Sequence, residues 1–267
     1  MFKKAQTYTI LAFVSALTLL ALVVSAVPPA HSHANLPQEV LDAMAEGKES
    51  VEVPVSEEIS RIYHIDYGQP MHATPLGTDC GPDSNAYKSL RLKWSGFPLS
   101  YSIDTSGMTQ DANNDGVTDA NDQAAARQAV VNAFNSWDAE EHPVGNMFVE
   151  GSPANVAVSW NLLDGAGSTL AVTTTTYNRF TRIIISTTVK YDTGDQWRVY
   201  PSLNCASQGS AFDIEGVGAH EIGHVVGLGH VQKTNDRGQT MYSYASSGET
   251  HKRTLGTGDK RGVDALY

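Results

Sequence analysis

Residues 220–230 read HEIGHVVGLGH, and this stretch is the most informative part of the sequence for the fold. Two histidines four residues apart on a helix lie on the same face, so His220 and His224 can offer their imidazole nitrogens to one ion. Glu221 flanks that face without having to bind the ion itself. The spacing therefore predicts a helix that carries two metal ligands and one nearby carboxylate.

A third ligand follows if the chain turns. His230 lies six residues after His224 and would point away from it on a continuous helix, but Gly227 can adopt the positive φ that ends one, and Gly229 adds freedom. Three neutral imidazoles hold zinc with a position left for water, whose pKa falls towards neutrality. With Glu221 as general base, the stretch predicts machinery for hydrolysing an acyl bond.

The pattern resembles the signature of the metzincins, HExxHxxGxxH followed by a Met-turn. Thr-Met-Tyr at 240–242 is similar to that turn, which implies that Met241 lies under the three histidines as a hydrophobic base and not as a ligand. Within the group the chain most resembles the matrixins and their bacterial relatives. The resemblance covers residues 92–267 and rests on these stretches: KW at 93–94, LSYSI at 99–103, AFNSW at 133–137, GLGH at 227–230 and GVDALY at 262–267.

The resemblance implies a secreted zinc endopeptidase of α+β fold, with a twisted, mostly antiparallel five-stranded sheet, about three helices and a substrate cleft above the zinc. Periodicity supports the class: apolar residues at helical spacing predict a helix at 123–137 before a run of strands, with a second helix after it. The predicted strands lie at 90–94, 99–103, 155–161, 170–177 and 182–191.

Two positions depart from the family, since Val231 stands where matrixins usually have Ser and Ser243 where they usually have Pro. The family's structural zinc needs extra histidines between the first predicted helix and the motif, and only His142 lies there, so one zinc ion is expected. There are two alternative hypotheses for the function. The first is a binding or structural domain that kept its zinc without catalysis, and the second is a zinc hydrolase that acts on another acyl compound. Glu221 beside a complete set of histidines argues against the first.

The N-terminus predicts export. Lys3 and Lys4 precede an apolar run, and small residues follow, which is typical of a signal peptide at 1–26; a retained membrane anchor is the alternative. The net charge of −11 excludes nucleic acid and anionic membranes as partners. We expect a secreted monomer acting on protein or peptide, with no stable membrane association. Residues 27–78 are predicted to be a pro-region or linker and 79–267 the catalytic domain.

A second metal site is predicted at residues 111–122, DANNDGVTDAND, which place oxygen side chains at loop positions 1, 3, 5, 9 and 12 with Gly at 6. Position 12 is Asp where Glu is usual, so the side chain is shorter and its carboxylate extends less far towards the ion. The alternative is an Asp/Asn turn that caps the following helix. The expected ligands of this structural calcium are Asp111, Asn113, Asp115, the carbonyl of Val117, Asp119 and Asp122.

The chain has two cysteines, and in an oxidising compartment Cys80 and Cys205 are predicted to form a disulfide. Residues 78–83, TDCGPD, also partly resemble the matrixin cysteine switch, in which a pro-region thiolate fills the open position of zinc. The usual Arg before Cys is absent, as is the residue between Gly and Pro. The bridge is the favoured prediction, and the switch is its alternative.

Overall fold

Runs of threonine, valine and isoleucine form two of the three longest strands, at 169–178 and 184–192, because these side chains suit a pleated, half-buried surface. The computed structural model describes residues 36–68, 80–139, 143–204 and 207–267. They belong to one compact unit, Ser32–Tyr267. The predicted signal peptide, His142 and Cys205 lie outside the described residues. Within the described ranges, no helix has the length and apolar character needed to cross a membrane.

The described residues form four α-helices, twelve strands and two 3-10 helices. The α-helices are α1 (Gln38–Ala45), α2 (Ala120–Asp138), α3 (Ile214–Val225) and α4 (Thr257–Leu266). The strands are β1 (Ser50–Pro54), β2 (Ile59–Gly68), β3 (Lys88–Ser89), β4 (Leu99–Asp104), β5 (Phe148–Glu150), β6 (Val156–Asn161), β7 (Thr169–Asn178), β8 (Ile184–Asp192), β9 (Trp197–Arg198), β10 (Phe212–Asp213), β11 (Leu228–Gly229) and β12 (Tyr244–Ala245). The 3-10 helices are Thr234–Asp236 and His251–Arg253.

The main sheet is mixed and has eight strands in the order β1-β2-β7-β8-β6-β4-β5, with β12 paired to β2. In its part from β7 to β5, the strands β4, β6, β7 and β8 match predicted strands, whereas β5 was not predicted. The expectation of a five-stranded, mostly antiparallel sheet is wrong. In that part β4 pairs in parallel with β5 and β6, β6 pairs in parallel with β8, and only β7 with β8 is antiparallel. The reason is connectivity: α2 carries the chain back to the start of the sheet, so the next strands run in the direction of β4.

The segment from 36 to 68 enlarges the sheet beyond the prediction. It contributes α1, β1 and β2. The described residues form four α-helices where about three were expected; α2 and α3 lie at the two places predicted from the sequence.

The predicted strand at 90–94 does not form as such. Only the short β3 and an isolated bridge between Lys93 and Ile183 are present there. Arg91 has a φ of 56°, which interrupts extended backbone. The Trp94 indole N–H instead donates to the carbonyl of Val225 at 2.8 Å and ties this segment to the end of α3.

The core lies between the sheet and two packed helices. The predicted helix forms as α2, and its apolar stripe is buried as expected from its periodicity. Trp137 from that stripe donates its indole N–H to the carbonyl of Ala219 at 2.9 Å. This bond fixes α2 against α3, the helix that carries the histidine motif.

Candidate metal centre

Helix α3 is anchored at its start by a buried carboxylate. Asp213 is the N-cap residue and accepts a hydrogen bond from the backbone N–H of Gly216 at 2.8 Å. The guanidinium of Arg253 lies 2.5 Å from the same carboxylate. Every residue of α3 after Glu215 is buried. The helix therefore presents its side chains from a fixed position.

The chain turns after α3 in the way that the spacing predicts. Gly227 has a φ of 96°, and a Cβ there would lie 2.5 Å from the carbonyl oxygen of Leu92. Leu228 and Gly229 then pair with Ser89 and Lys88 as a short antiparallel ladder. This geometry returns the chain so that His230 faces the helix.

The three predicted histidines converge through their Nε2 atoms. The Nε2 atoms of His224 and His230 lie 3.0 Å apart. Each Nδ1 faces an acceptor: the carbonyl of Thr240 at 2.6 Å for His220, the carbonyl of Leu228 at 2.9 Å for His224, and Glu49 at 3.3 Å for His230. We infer that Nδ1 carries the proton and that Nε2 presents a lone pair to the centre.

This tautomer has a direct consequence for the site. Two unprotonated Nε2 atoms 3.0 Å apart repel each other unless a proton or a metal cation lies between them. Burial lowers the pKa of His220 to about 3 and also lowers the pKa of His224, so both rings are neutral at pH 7. Neutral imidazoles whose second nitrogen is held by an acceptor are the usual form of histidine metal ligands.

A fourth donor, Asp66, comes from β2. Its Oδ1 lies 2.8 Å from Nε2 of His220 and 2.6 Å from Nε2 of His230. Burial lowers the pKa of His230, and the carboxylates of Asp66 and Glu49 raise it by more, to about 9. Protonation of Nε2 and binding of a cation there exclude each other, so this pKa belongs to the metal-free site. Zinc fits the donor set, because three imidazoles and a carboxylate are all zinc ligands.

Among the residues that the structure describes, this is the one group of three or more His, Cys, Asp or Glu whose donor atoms lie within 4.8 Å of one another. Sequence reasoning missed Asp66, because it lies in a strand far from the histidine motif and no local pattern marks it. The spacing of the motif finds the three histidines alone.

Glu221, the predicted general base, is fully buried and lies near Asp66. The hydroxyl of Thr173, on β7, donates to Oε2 of Glu221, while Oε1 is buried with no hydrogen-bond partner. Burial and the neighbouring carboxylate of Asp66 raise the pKa of Glu221 well above its usual range. The carboxyl group is thus held in place next to the metal centre and shielded from water.

Met241 is buried under α3. A Cβ added at Gly223 would lie 2.1 Å from the sulfur of Met241, so the glycine allows the methionine to pack directly against the helix. Met241 does not belong to the group of converging donors. Its place agrees with the hydrophobic base that the Met-turn implies.

Comparison with known proteins agrees with this geometry. Residues 112–267, more than half of the chain, match the model of the matrixin family of peptidases. The chain belongs to the matrixin family. It is also 35% identical over 77 residues to Metalloendoproteinase 1 of Glycine max, a match that covers 29% of this chain and 24% of that protein. The predicted resemblance to the matrixins is confirmed, and both matches support the class of zinc metalloendopeptidases.

The 111–122 loop of this matrixin is held by its own acidic side chains. Asp111 accepts from the backbone N–H groups of Asp115 and Gly116 at 3.1 and 3.0 Å. Asp122 accepts from Asn113 and Asp119, and the Asp119 side chain caps α2 in a capping box. These bonds are compatible with a calcium loop and also with the capped turn that was its alternative.

Cys80 is not one of the donors that converge at the metal centre of this matrixin. Cys80 is disulfide-bonded, and Cys205 lies outside the described residues, so the bridge between them stays a prediction. Cys80 lines a separate cavity with Asn204 and His251. A thiolate of Cys80 is therefore not among the donors at the three histidines, where the fourth donor is Asp66.

Proposed function

We propose that this matrixin is a secreted zinc endopeptidase that hydrolyses peptide bonds of proteins, with Glu221 as general base and then as proton donor. The observation that carries the proposal is the convergence of three Nε2 atoms whose Nδ1 partners fix the tautomer, with His224 and His230 Nε2 3.0 Å apart. The family match and the name of the Glycine max relative support peptide hydrolysis over another acyl substrate.

Several residues of the chain have different roles in the proposed reaction. Zinc held by the imidazoles supplies a Lewis acid and lowers the pKa of bound water. Glu221 would serve as the proton acceptor at this centre, and Thr173 holds its Oε2 in one orientation. The carbonyls of Thr240 and Leu228 keep two rings turned towards the centre. These contacts position the reacting groups before a substrate arrives.

Metal content and casein cleavage together test the proposal. One zinc ion per chain is expected, with cleavage lost in a chelator and restored by zinc, in protein assayed before and after limited proteolysis. Glu221→Gln keeps the size of the side chain and should keep zinc, while turnover falls by about 10²–10⁴-fold. Glu215→Gln, on the same helix but outside the site, is the control. Undiminished turnover in Glu221→Gln would rule out the assigned base.

The proposal includes a structural calcium ion in the 111–122 loop, supported by the spacing of its oxygen side chains. Because calcium would bind the folded loop in preference to the unfolded chain, it should raise the melting temperature. The measurement compares calcium with EGTA at matched ionic strength, in the wild type and in Asp111→Asn. Asp104→Asn, outside the loop, is the control. Equal melting temperatures in calcium and EGTA would contradict a bound ion.

We further propose that export removes residues 1–26 and that residues 27–78 are a pro-region. The exported protein would then act on protein or peptide substrates as a monomer, without nucleic acid or membrane as partner. N-terminal sequencing of the exported protein should give a start near Val27 or near Cys80. A start at Met1 would favour the retained anchor instead.

A further inference from the structure

The N-terminal segment, defined here as residues 36–68 with α1, β1 and β2, covers an edge of the main sheet. Its strand β2 pairs antiparallel with β7 from Ile59 opposite Asn178 to Tyr67 opposite Thr169. The other side of β7 is already paired with β8. Without β2, β7 would offer its free edge to an extended peptide, which binds such edges through main-chain hydrogen bonds. The N-terminal segment therefore occupies a place where a substrate strand could add.

The two faces of β2 have different partners, because successive side chains in a strand point to opposite sides. Tyr63, Ile65 and Tyr67 lie on one face and pack in an apolar cluster with residues of α1 and with Leu163 and Val172. This cluster joins the N-terminal segment to the rest of the fold through its apolar side chains. It fixes the strand without using the other face.

The opposite face of β2 is turned to the metal centre. His64 is buried, and its ring stacks on the ring of His224 with centroids 4.3 Å apart. Two residues later, Asp66 places Oδ1 2.8 Å from Nε2 of His220 and 2.6 Å from Nε2 of His230. Oδ2 of the same carboxylate lies 3.5 Å from Nε2 of His224. One carboxylate thus reaches all three ligand rings.

Buried polar atoms without partners indicate what the carboxylate is for. Oδ2 of Asp66 and Oε1 of Glu221 are both buried with no hydrogen-bond partner. An unpaired carboxylate oxygen in such a site is costly unless a cation compensates it. Zinc accepts carboxylate oxygen as a ligand, and four protein ligands make a closed site with no position for water. Glu221 would then have no bound water to deprotonate.

We propose that Asp66 is a fourth zinc ligand, through which the N-terminal segment keeps the uncleaved chain inactive; this inference rests on the zinc site of the proposed function. Removing the segment takes away Asp66 and opens one position on the metal. It also uncovers the edge of β7. Glu49, which accepts from Nδ1 of His230 and from the side chain of Gln232, leaves with the same segment.

Cobalt substitution of the full-length chain tests the assignment without relying on activity. The visible spectrum of bound cobalt reports its coordination, and acetohydroxamate can bind only where a position is open. We expect acetohydroxamate to change the spectrum of Asp66→Ala and to leave the wild type unchanged. Asp42→Ala removes an exposed carboxylate from the same segment and should behave as the wild type.

Activity provides the second readout. Full-length, zinc-loaded Asp66→Ala should cleave casein at least about tenfold faster than the full-length wild type, since losing a metal-site contact changes activity on the order of 10–100-fold. Near-ultraviolet circular dichroism checks that the variant is folded. Asp66→Asn keeps the shape of the side chain and is a weaker ligand, so it repeats both measurements if Asp66→Ala does not fold.

The outcomes separate the two proposals. Equal spectral responses of the wild type and both Asp66 variants, each with a full complement of metal, would overturn Asp66 as a ligand and leave the zinc endopeptidase proposal standing. The same holds if neither variant gains activity or acetohydroxamate binding, because the strand would then block the site without its carboxylate. A wild type that binds no stoichiometric metal would overturn the proposed function, and this inference with it.

Discussion

Two buried side chains of opposite charge hold the turn under the three imidazoles. The carboxylate of Asp259 accepts from the backbone N–H groups of Thr240 and Met241 at 2.8 and 3.1 Å. The ammonium of Lys252 donates to the carbonyls of Thr240 and Tyr242. Since the Thr240 carbonyl also accepts from Nδ1 of His220, Lys252 acts on a proposed zinc ligand through one shared oxygen.

Replacing Lys252 with Met should therefore weaken both the fold and the metal site. The variant keeps the apolar stem and loses two buried hydrogen bonds, which should lower the free energy of unfolding by about 1–3 kcal/mol. Zinc affinity should fall by about 10–100-fold, because the acceptor of His220 is held less firmly. Denaturant unfolding and competition with a zinc chelator measure the two effects. Lys233→Met, at an exposed position, is the control. Equal zinc affinities of Lys252→Met and the wild type would show that Lys252 does not influence His220 through the Thr240 carbonyl.

Some residues of the site can be predicted from a local sequence pattern, and others cannot. His220, Glu221 and His224 follow from the geometry of one helix turn, and His230 from the glycine after it. Asp66 is one aspartate in an alternating strand, and the same pattern also fits a strand whose polar face meets solvent. Only the pairing of β2 with β7 brings it to the histidines, and that register is a tertiary property.

Among the elements, the short turn between α3 and β11 determines where His230 lies. Gly227 has positive φ there and approaches the carbonyl of Leu92 too closely for a Cβ, which would lie 2.5 Å from its oxygen. The turn thus depends on backbone conformation and on close packing at the same position. Substitution of Gly227 by alanine, which adds one methyl group, tests both requirements.

Gly227→Ala should lower the free energy of unfolding by more than about 2 kcal/mol, from the strain of positive φ together with the clash. It should also weaken zinc binding, because relief of the clash moves the segment that carries His230. Gly96→Ala is the matched control, since a Cβ there meets nothing within 4 Å. Calorimetry and zinc titration give both quantities, and a Gly227→Ala protein as stable as the control would contradict the close approach.

Element types were predictable where periodicity is long, and strand directions were not. The helix at 123–137 and the strands predicted at 155–161, 170–177 and 182–191 match α2, β6, β7 and β8 closely. The direction of a strand depends on the edge of the sheet to which the chain returns before forming it. The sequence of a single strand therefore could not predict the parallel pairs of β4 with β5 and β6. The positive φ of Arg91, which interrupts the predicted strand at 90–94, likewise had no signal in the sequence.

At the scale of the whole molecule, the acidic composition extends into the interior. Asp164, Asp192 and Asp195 meet where the loop after β6 approaches the loop after β8. Asp192 accepts backbone N–H groups of residues 163–165 and 194, whereas Oδ2 of Asp195 is buried with no hydrogen-bond partner. Burial, with the charges of Asp192 and Asp164, raises the pKa of Asp195 to about 7.

This raised pKa predicts how stability depends on pH. The folded chain holds the proton of Asp195 up to about pH 7, whereas the unfolded chain releases it near pH 4. The stabilisation is therefore complete below pH 4 and is lost as the pH rises through 7. Allowing for solvent screening, the contribution to the free energy of unfolding should be about 2 kcal/mol.

Asp195→Asn keeps the shape and removes the titration, so it should be more stable than the wild type at pH 8 and gain least at pH 4. The measurement is urea unfolding from pH 4 to 8 in EGTA, because a bound divalent cation would neutralise the carboxylates. The exposed Asp42→Asn should follow the wild-type curve. If Asp195→Asn shows the wild-type pH dependence, Asp195 is ionised in the folded chain at neutral pH, and the loops after β6 and β8 accommodate three charges without a cost in stability.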